Sequence, residues 1–135
     1  MTSLVELTVT ALLMTPTLLA ASAIATSALA DFQRGRRIRR LLQTFDEGLS
    51  VLGISSMKAI YAHLKRQYAL EREDIPARLG LFHIGLVNLF GPKGAILVEK
   101  QIAKSMYSRL KLKYEESPTW DFASYTRVAM QKLKI

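Results

Sequence analysis

The chain has 135 residues, with 19 lysines and arginines against 11 aspartates and glutamates, a formal net charge of +8, and no cysteine. This length suits one small domain and leaves no room for a second full core. A sequence without cysteine excludes a disulfide framework, a thiolate zinc site, an iron–sulfur cluster and a cysteine nucleophile.

Residues 4–30 form an apolar segment, in which 18 of 27 residues are hydrophobic and Glu6 is the one charged residue. As a helix the segment would measure roughly 40 Å, more than the roughly 30 Å hydrocarbon core of a bilayer. Its serines, threonines and Pro16 make it a weakly hydrophobic span, and its alanines allow another helix to approach closely. We therefore predict a single N-terminal transmembrane helix within a membrane anchor over residues 1–33.

Two other interpretations of the apolar segment stay open. Ala28-Leu29-Ala30 resembles the cleavage site of a signal peptide, but the segment lacks a basic start and arginines follow it directly. A hydrophobic helix packed inside a soluble bundle or a protein complex is the other interpretation.

An arginine cluster, RGRRIRR, occupies residues 34–40. Basic residues concentrate at the cytoplasmic ends of spans, so the cluster predicts an outside N-terminus and a cytoplasmic C-terminal domain. Gly35 predicts a flexible juxtamembrane hinge over the same residues, and clustered arginines attract anionic lipid headgroups. The predicted contacts with headgroups or phosphates are Arg34, Arg36, Arg37, Arg39 and Arg40. Nucleic-acid backbone is the alternative partner for these side chains.

Residues 41–135 have the pattern of an all-α domain, a small bundle of four to five helices, because apolar residues recur every three or four positions. A helix is predicted from about residue 37 to 52. It ends at Gly53, because glycine readily adopts the left-handed backbone conformation that terminates helices. The next helix opens at Ser55-Ser56 as N-cap residues. The apolar stripes of these two helices comprise Leu41, Leu42, Phe45 and Leu49, then Met57, Ile60, Tyr61, Leu64 and Tyr68.

The second half of the domain contains a solvated loop, a central helix and two more helices. Residues 71–74 are charged and predict the loop, whereas residues 77–90 are apolar on nearly every side and predict a buried helix. A turn at 91–94 leads to a helix that runs to about Lys113 and buries Ala95, Val98, Ile102, Met106 and Leu110. Ser117-Pro118 predicts the start of the last helix, which carries Trp120, Phe122, Tyr125, Ala129 and Leu133.

A stripe of lysines, Lys100, Lys104 and Lys111, lies on the outer face of the predicted helix that follows the turn at 91–94. Such a stripe is typical of a solvated helix face, and it is also a secondary basic surface for lipid or nucleic acid. The turn at 91–94 resembles an anion-binding helix start, but it lacks the spacing of a P-loop, which favours a plain turn.

Candidate catalytic and metal-binding patterns are weak in this sequence. Residues 73–90 resemble a helix-turn-helix, yet the second helix would offer no Lys or Arg to DNA. Neither His63 nor His83 has a carboxylate at a sequence spacing typical of metal ligands. We therefore interpret both as core or surface histidines. Since no nucleophile, base and orienting group can be assembled from motifs, we expect a protein that is not an enzyme and that uses no cofactor or metal.

Several segments together resemble a family of small uncharacterised archaeal all-helical proteins. These segments are FDEGLSVLG at 45–53, KAIYAHLKRQY at 58–68, EDIP at 73–76, LFG at 89–91 with a following GA at 94–95, and EKQIAKSMYSRL at 99–110. The resemblance covers residues 45–112 and implies a helical fold without implying an activity. Residues 1–30 lie outside it.

The sequence as a whole predicts a non-enzymatic single-pass membrane protein with a small cytoplasmic helical domain over 41–135. We expect this domain to act as an accessory or assembly subunit, in contact with a protein partner or with further copies of the chain. The alternative is a basic helical nucleic-acid-binding protein, and a third hypothesis is a pocket for a small ligand inside the bundle.

Overall fold

The computed structural model describes the backbone of residues 2–135 and the side chains of residues 23–135. Helix α1 is Thr2–Ser50, α2 is Ile54–Tyr68, a 3-10 helix is Arg72–Ala77, α3 is Leu79–Arg109 and α4 is Phe122–Leu133. The described backbone contains no strand. The predicted all-α fold class is therefore confirmed.

The chain divides into two compact units, Met1–Arg36 and Arg37–Ile135. The boundary lies inside the segment 34–40 that the sequence predicts as a hinge. That segment is α-helical in the structure, Gly35 included. Its flexibility stays a prediction. The second unit is the helical domain, and it holds the hydrophobic core.

Helix α3 is a hairpin of two arms rather than a straight rod. Gly91 has φ 74° and ψ 171°, which is outside helical geometry, and Pro92 begins the second arm. Nδ1 of His83 lies 2.6 Å from Oε1 of Glu99, although a straight helix would separate these residues by roughly 24 Å. The two arms, residues 79–90 and 92–109, therefore fold back on each other, as the predicted turn at 91–94 requires.

By length and composition, one helix of the described residues could cross a membrane, and it is α3 rather than the predicted N-terminal segment. Its bend leaves arms of roughly 18 and 27 Å, each shorter than the roughly 30 Å hydrocarbon core. The arms also bury core residues of the helical domain, such as Phe82 and Ile102. We therefore interpret α3 as a core hairpin. The side chains of residues 4–22 of the predicted N-terminal span lie outside the described residues.

Three phenylalanines from three helices meet in the core of the helical domain. The ring centroids of Phe45, Phe82 and Phe122 are 5.7–5.9 Å apart. Gly48 brings α1 against the second arm of α3, because a Cβ atom there would lie 2.5 Å from the Cα of Ile102. The predicted stripe of α1 is buried in full, as are Ile60 and Leu64 of α2.

Several predicted boundaries are wrong. Residues 72–77 form a 3-10 helix whose Ile75 is buried, so the charged run is not simply a solvated loop. Gly53, and neither of the predicted serines, is the N-cap residue of α2. The second arm of α3 ends at Arg109, before Lys113. The last helix begins at Phe122, because the Asp121 side chain rather than Ser117 caps it by accepting a hydrogen bond from the Ser124 amide.

The first arm of α3 is less buried than its composition predicts. Phe82 and Leu86 are in the core, but Ile84, Leu89 and Phe90 are exposed. A helix that is apolar on all sides is expected to be central. Here only one face of the arm packs against the domain, which leaves apolar surface uncovered in this chain.

Candidate functional site

The arginine cluster continues into the helical domain through residues that are distant in sequence. A guanidinium nitrogen of Arg37 donates to the backbone carbonyl of Lys134 at 3.4 Å. Arg40 and Arg109 line one small cavity of about 80 Å³ together with Glu47. Three helix ends therefore meet at one basic end of the bundle. They are the start of the portion of α1 that belongs to the helical domain, the end of α3 and the end of α4.

Arg109 is held in this position by Glu47 of α1. Nε of Arg109 donates to Oε2 of Glu47 at 2.9 Å, and Nη2 donates to Oε1 of the same carboxylate. A bidentate pair of this kind fixes the guanidinium plane. The sequence alone did not identify Arg109 or Lys134 as members of the basic end, because only the packing of three helices brings them beside α1.

The predicted headgroup contacts fall in both units of the chain. Arg34 and Arg36 are exposed in the first unit, and Arg39 and Arg40 are exposed in the second. Arg37 is half-buried and contacts the backbone carbonyl of Lys134, the residue that follows α4. All five side chains belong to α1.

The predicted lysine stripe is not a continuous helical face. Lys100 forms an ion pair with Glu116 at 3.3 Å and lies over the Trp120 ring, 5.7 Å from its centre. Lys104 lies over the Tyr114 ring at 5.9 Å. Lys111 follows the end of α3 in a left-handed conformation with φ 56°. Two of the three lysines therefore contact the segment between α3 and α4.

A second site lies between the two arms of α3, where a buried carboxylate contacts an imidazole. Glu99 on the second arm is only 2% exposed, and its Oε1 is 2.6 Å from Nδ1 of His83 on the first arm. The sequence offers no carboxylate near His83, so this pair was missed. The signal was present in the periodicity: Glu99 falls between Ala95 and Ile102 on the predicted inward face, where a charged residue is unusual.

The pair lines a cavity of about 340 Å³ between the arms of α3 and the start of α4. Leu79, Ile96 and Phe122 supply apolar walls, and Asp121 adds a second carboxylate. Small-molecule sites have this combination of a mostly apolar lining with a few convergent polar groups. The cavity is therefore the strongest candidate ligand site in the described part of the chain.

Burial raises the pKa of Glu99, because the ionised carboxylate loses its contact with water. The hydrogen bond and charge of His83 act in the opposite direction, and the nearby charge of Asp121 raises the pKa further. A perturbed carboxyl group in a cavity is a frequent mark of a functional site.

The chemistry available at this cavity is that of binding and proton exchange. The carboxylate of Glu99 orients the imidazole of His83 through Nδ1, which is the arrangement of a base and its orienting group. The described residues that line the cavity include no Ser, Thr, Cys or Lys, so the lining supplies no such nucleophile beside the pair. No group of three metal-ligating side chains is found among the described residues.

No family model, curated protein or solved structure matches this chain. The resemblance of residues 45–112 to small archaeal helical proteins stays a prediction.

Proposed function

We propose that the protein is a non-enzymatic single-pass membrane protein whose N-terminus is outside and whose helical domain is a cytoplasmic assembly module. The observation that carries this proposal is the order of side chains along α1. Ile24, Leu29 and Phe32 are 71%, 57% and 60% exposed, and the arginine cluster follows directly after them.

Exposed apolar side chains on a helix favour transfer into lipid. Burying one large aliphatic or aromatic side chain stabilises by about 1.5–3 kcal/mol relative to leaving it in water. The segment 23–33 contains only one charged residue, Asp31, at the side of the arginine cluster. A bilayer would cover the apolar surface and leave Asp31 and the arginines in the headgroup region.

The basic end of the domain supports the predicted orientation. Arg109 lines the same small cavity as Arg40, where Glu47 pairs with Arg109, and Arg37 lies against the backbone carbonyl of Lys134. Each basic residue near an anionic leaflet contributes about 1 kcal/mol of attraction. The side of the domain that carries the arginine cluster is thus suited to lie against anionic headgroups.

An assembly role is supported by apolar side chains that the domain leaves exposed. Val51 and Leu52 in the turn between α1 and α2 are exposed, and so is Ile54 at the start of α2. Leu97 is exposed on the second arm of α3. Clustered exposed apolar residues mark protein or membrane contacts, so we propose a protein partner or a further copy of the chain.

Nucleic acid is the alternative partner for the basic side chains. Lys100 and Lys104 support it weakly, because they already contact Glu116, Trp120 and Tyr114. Binding to a duplex would fall steeply with salt. Filter binding of duplex DNA at salt concentrations from low to physiological separates the two proposals. The membrane proposal predicts that the protein retains the duplex only through weak, non-specific ionic attraction.

Alkaline carbonate extraction of membranes from cells that express the full chain tests the proposal. We expect the protein to stay in the pellet, as an integral protein does, and to be released only by detergent. A high-salt wash beforehand removes molecules that are attached through the arginine cluster alone. Recovery of the full-length protein in the carbonate supernatant would refute the membrane anchor.

A further inference from the structure

The cavity between the arms of α3 carries a negative charge that the fold does not neutralise. Glu99 and Asp121 face it with two carboxylates, and His83 is the one basic side chain in its lining. When both carboxylates are ionised, the lining carries two negative charges beside a neutral imidazole and a net charge of one beside a protonated imidazole. A negatively charged cleft attracts cations and repels anions.

The nearby positive groups are already engaged. Asp121 caps α4, since its Oδ2 accepts from the amide and the hydroxyl of Ser124 at 3.3 and 2.9 Å. This carboxylate offsets the partial positive charge at the start of α4. Lys100, which lies over Trp120 at the edge of the cavity, is paired with Glu116. Lys100 and the start of α4 are therefore each matched by a carboxylate.

We propose that this cavity is a binding site for a small organic cation, a primary ammonium with a compact apolar body. The ammonium group would lie against Glu99 and Asp121, because it has three donors for carboxylate oxygens. The apolar body would pack against Leu79, Ile96 and Phe122, which supply the cavity's apolar walls. The volume of about 340 Å³ is at the lower end of small-molecule sites, so the ligand is small.

A binding role explains why the carboxylate of Glu99 is buried. Removing a carboxylate from water is costly unless a partner compensates for it. His83 supplies one contact with Oε1, and a bound ammonium would supply the positive charge that a neutral imidazole lacks. This inference concerns a site that is separate from the proposed anchor, and its outcome does not depend on membrane insertion.

Three probes of nearly equal size test the proposal by calorimetric titration of the full chain in a neutral detergent. Phenethylammonium is the cation, 2-phenylethanol is its neutral counterpart, and phenylacetate is its anionic counterpart. Because hydrogen bonds to charged groups are about twice as strong as neutral ones, we expect the ammonium to bind at least about tenfold more tightly than the alcohol. Phenylacetate should bind most weakly.

Glu99→Gln keeps the size of the side chain and removes its charge. We expect this variant to lose about tenfold in affinity for the ammonium and to keep its affinity for the alcohol. If Glu99→Gln folds poorly, Asp121→Asn provides a second test of the same charge effect. Asparagine is as good an N-cap residue as aspartate, so we expect this variant to fold. Glu73→Gln, a change on the exposed side of the 3-10 helix, is the matched control and should leave all three affinities unchanged.

The proposal is overturned if phenethylammonium shows no saturable binding or binds no more tightly than the alcohol. It is equally overturned if phenylacetate binds best, or if both Glu99→Gln and Asp121→Asn bind the ammonium as the Glu73→Gln control does.

Discussion

Nδ1 of His83 and Oε1 of Glu99 are 2.6 Å apart although sixteen positions separate the two residues in the chain. The contact joins the two arms of α3 and places a buried carboxylate beside the cavity at the start of α4. Fold and candidate site therefore depend on the same feature, the reversal of α3 at Gly91.

The pH dependence of stability should show the burial of Glu99. Its pKa is raised in the folded state above the ordinary value of 4.5, so the folded state binds this proton more tightly than the unfolded state. The proton on Glu99 therefore stabilises the folded state fully below pH 4.5, and this stabilisation is lost as the pH rises through the folded-state pKa of Glu99. His83 and Asp121 are the titratable groups that face it.

We expect the free energy of unfolding of the wild type to increase relative to that of Glu99→Gln as the pH falls from 7 toward 4.5. Urea denaturation followed by Trp120 fluorescence measures this difference. Glu73→Gln, on the exposed side of the 3-10 helix, should show no such trend. A difference that is constant with pH would show that Glu99 titrates in the fold as it does in the unfolded chain.

Gly48→Ala should destabilise the helical domain. Its new Cβ would lie 2.5 Å from the Cα of Ile102, so α1 and the second arm of α3 would have to separate. Overpacking of this kind costs about 1–3 kcal/mol. Gly80→Ala is the matched control, because its Cβ meets nothing within 4 Å, and a helical Gly→Ala change stabilises by up to about 1 kcal/mol. Equal stability of the two variants in urea denaturation would contradict the close approach of the helices.

Gly91→Ala should also be destabilising, for a reason of backbone geometry. Its φ of 74° and ψ of 171° lie in a region that is nearly exclusive to glycine, where another residue costs about 1–3 kcal/mol. Gly91→Asn should cost as much, since asparagine tolerates the left-handed helical region and this ψ lies outside it. Chemical denaturation of both variants checks the prediction, and an unchanged midpoint for Gly91→Ala would rule out the hairpin.

Asp46→Asn should weaken the attachment of the 3-10 helix. Asp46 accepts from Tyr61 at 2.6 Å and from Arg72 at 2.9 and 2.6 Å, so one carboxylate holds two elements to α1. Loss of a hydrogen-bonded charged group at a half-buried position costs about 1–3 kcal/mol. Asp74→Asn, an exposed change on the same 3-10 helix, should cost less than about 0.5 kcal/mol. Thermal unfolding of the two variants side by side gives the comparison, and equal losses would mean that the network adds nothing.

Local patterns predicted much of the fold. The stripe from Leu41 to Leu49 and the pair Ile60 and Leu64 are buried as the helical periodicity indicates. The reversal at Gly91 follows from glycine and proline chemistry, and both Gly53 and Gly91 have positive φ. These features depend on residues within one or two turns of each other, which is the range that a sequence pattern reports. The predicted left-handed stop at Gly53 is wrong, because α1 ends at Ser50 and the ψ of 146° at Gly53 lies outside the left-handed helical region.

Contacts between distant residues could not be predicted in the same way. Arg72 belongs to a charged run that is typical of a loop, but its pairing with Asp46 and the burial of Ile75 make that run a packed element. Glu99 and His83 meet because of the direction in which the second arm leaves Gly91, and periodicity does not encode that direction. The same holds for Arg109, which joins the arginine cluster through Glu47.

The orientation of the chain in a membrane is the central claim, and labelling of single cysteines tests it most directly, because the natural sequence contains no cysteine. Ser3→Cys marks the N-terminus, and Gln131→Cys marks the exposed side of α4. We predict that a membrane-impermeant maleimide labels Ser3→Cys in intact cells and labels Gln131→Cys only after permeabilisation. Labelling of Gln131→Cys in intact cells, or protection of both positions until the cells are opened, would contradict an N-terminus-outside span.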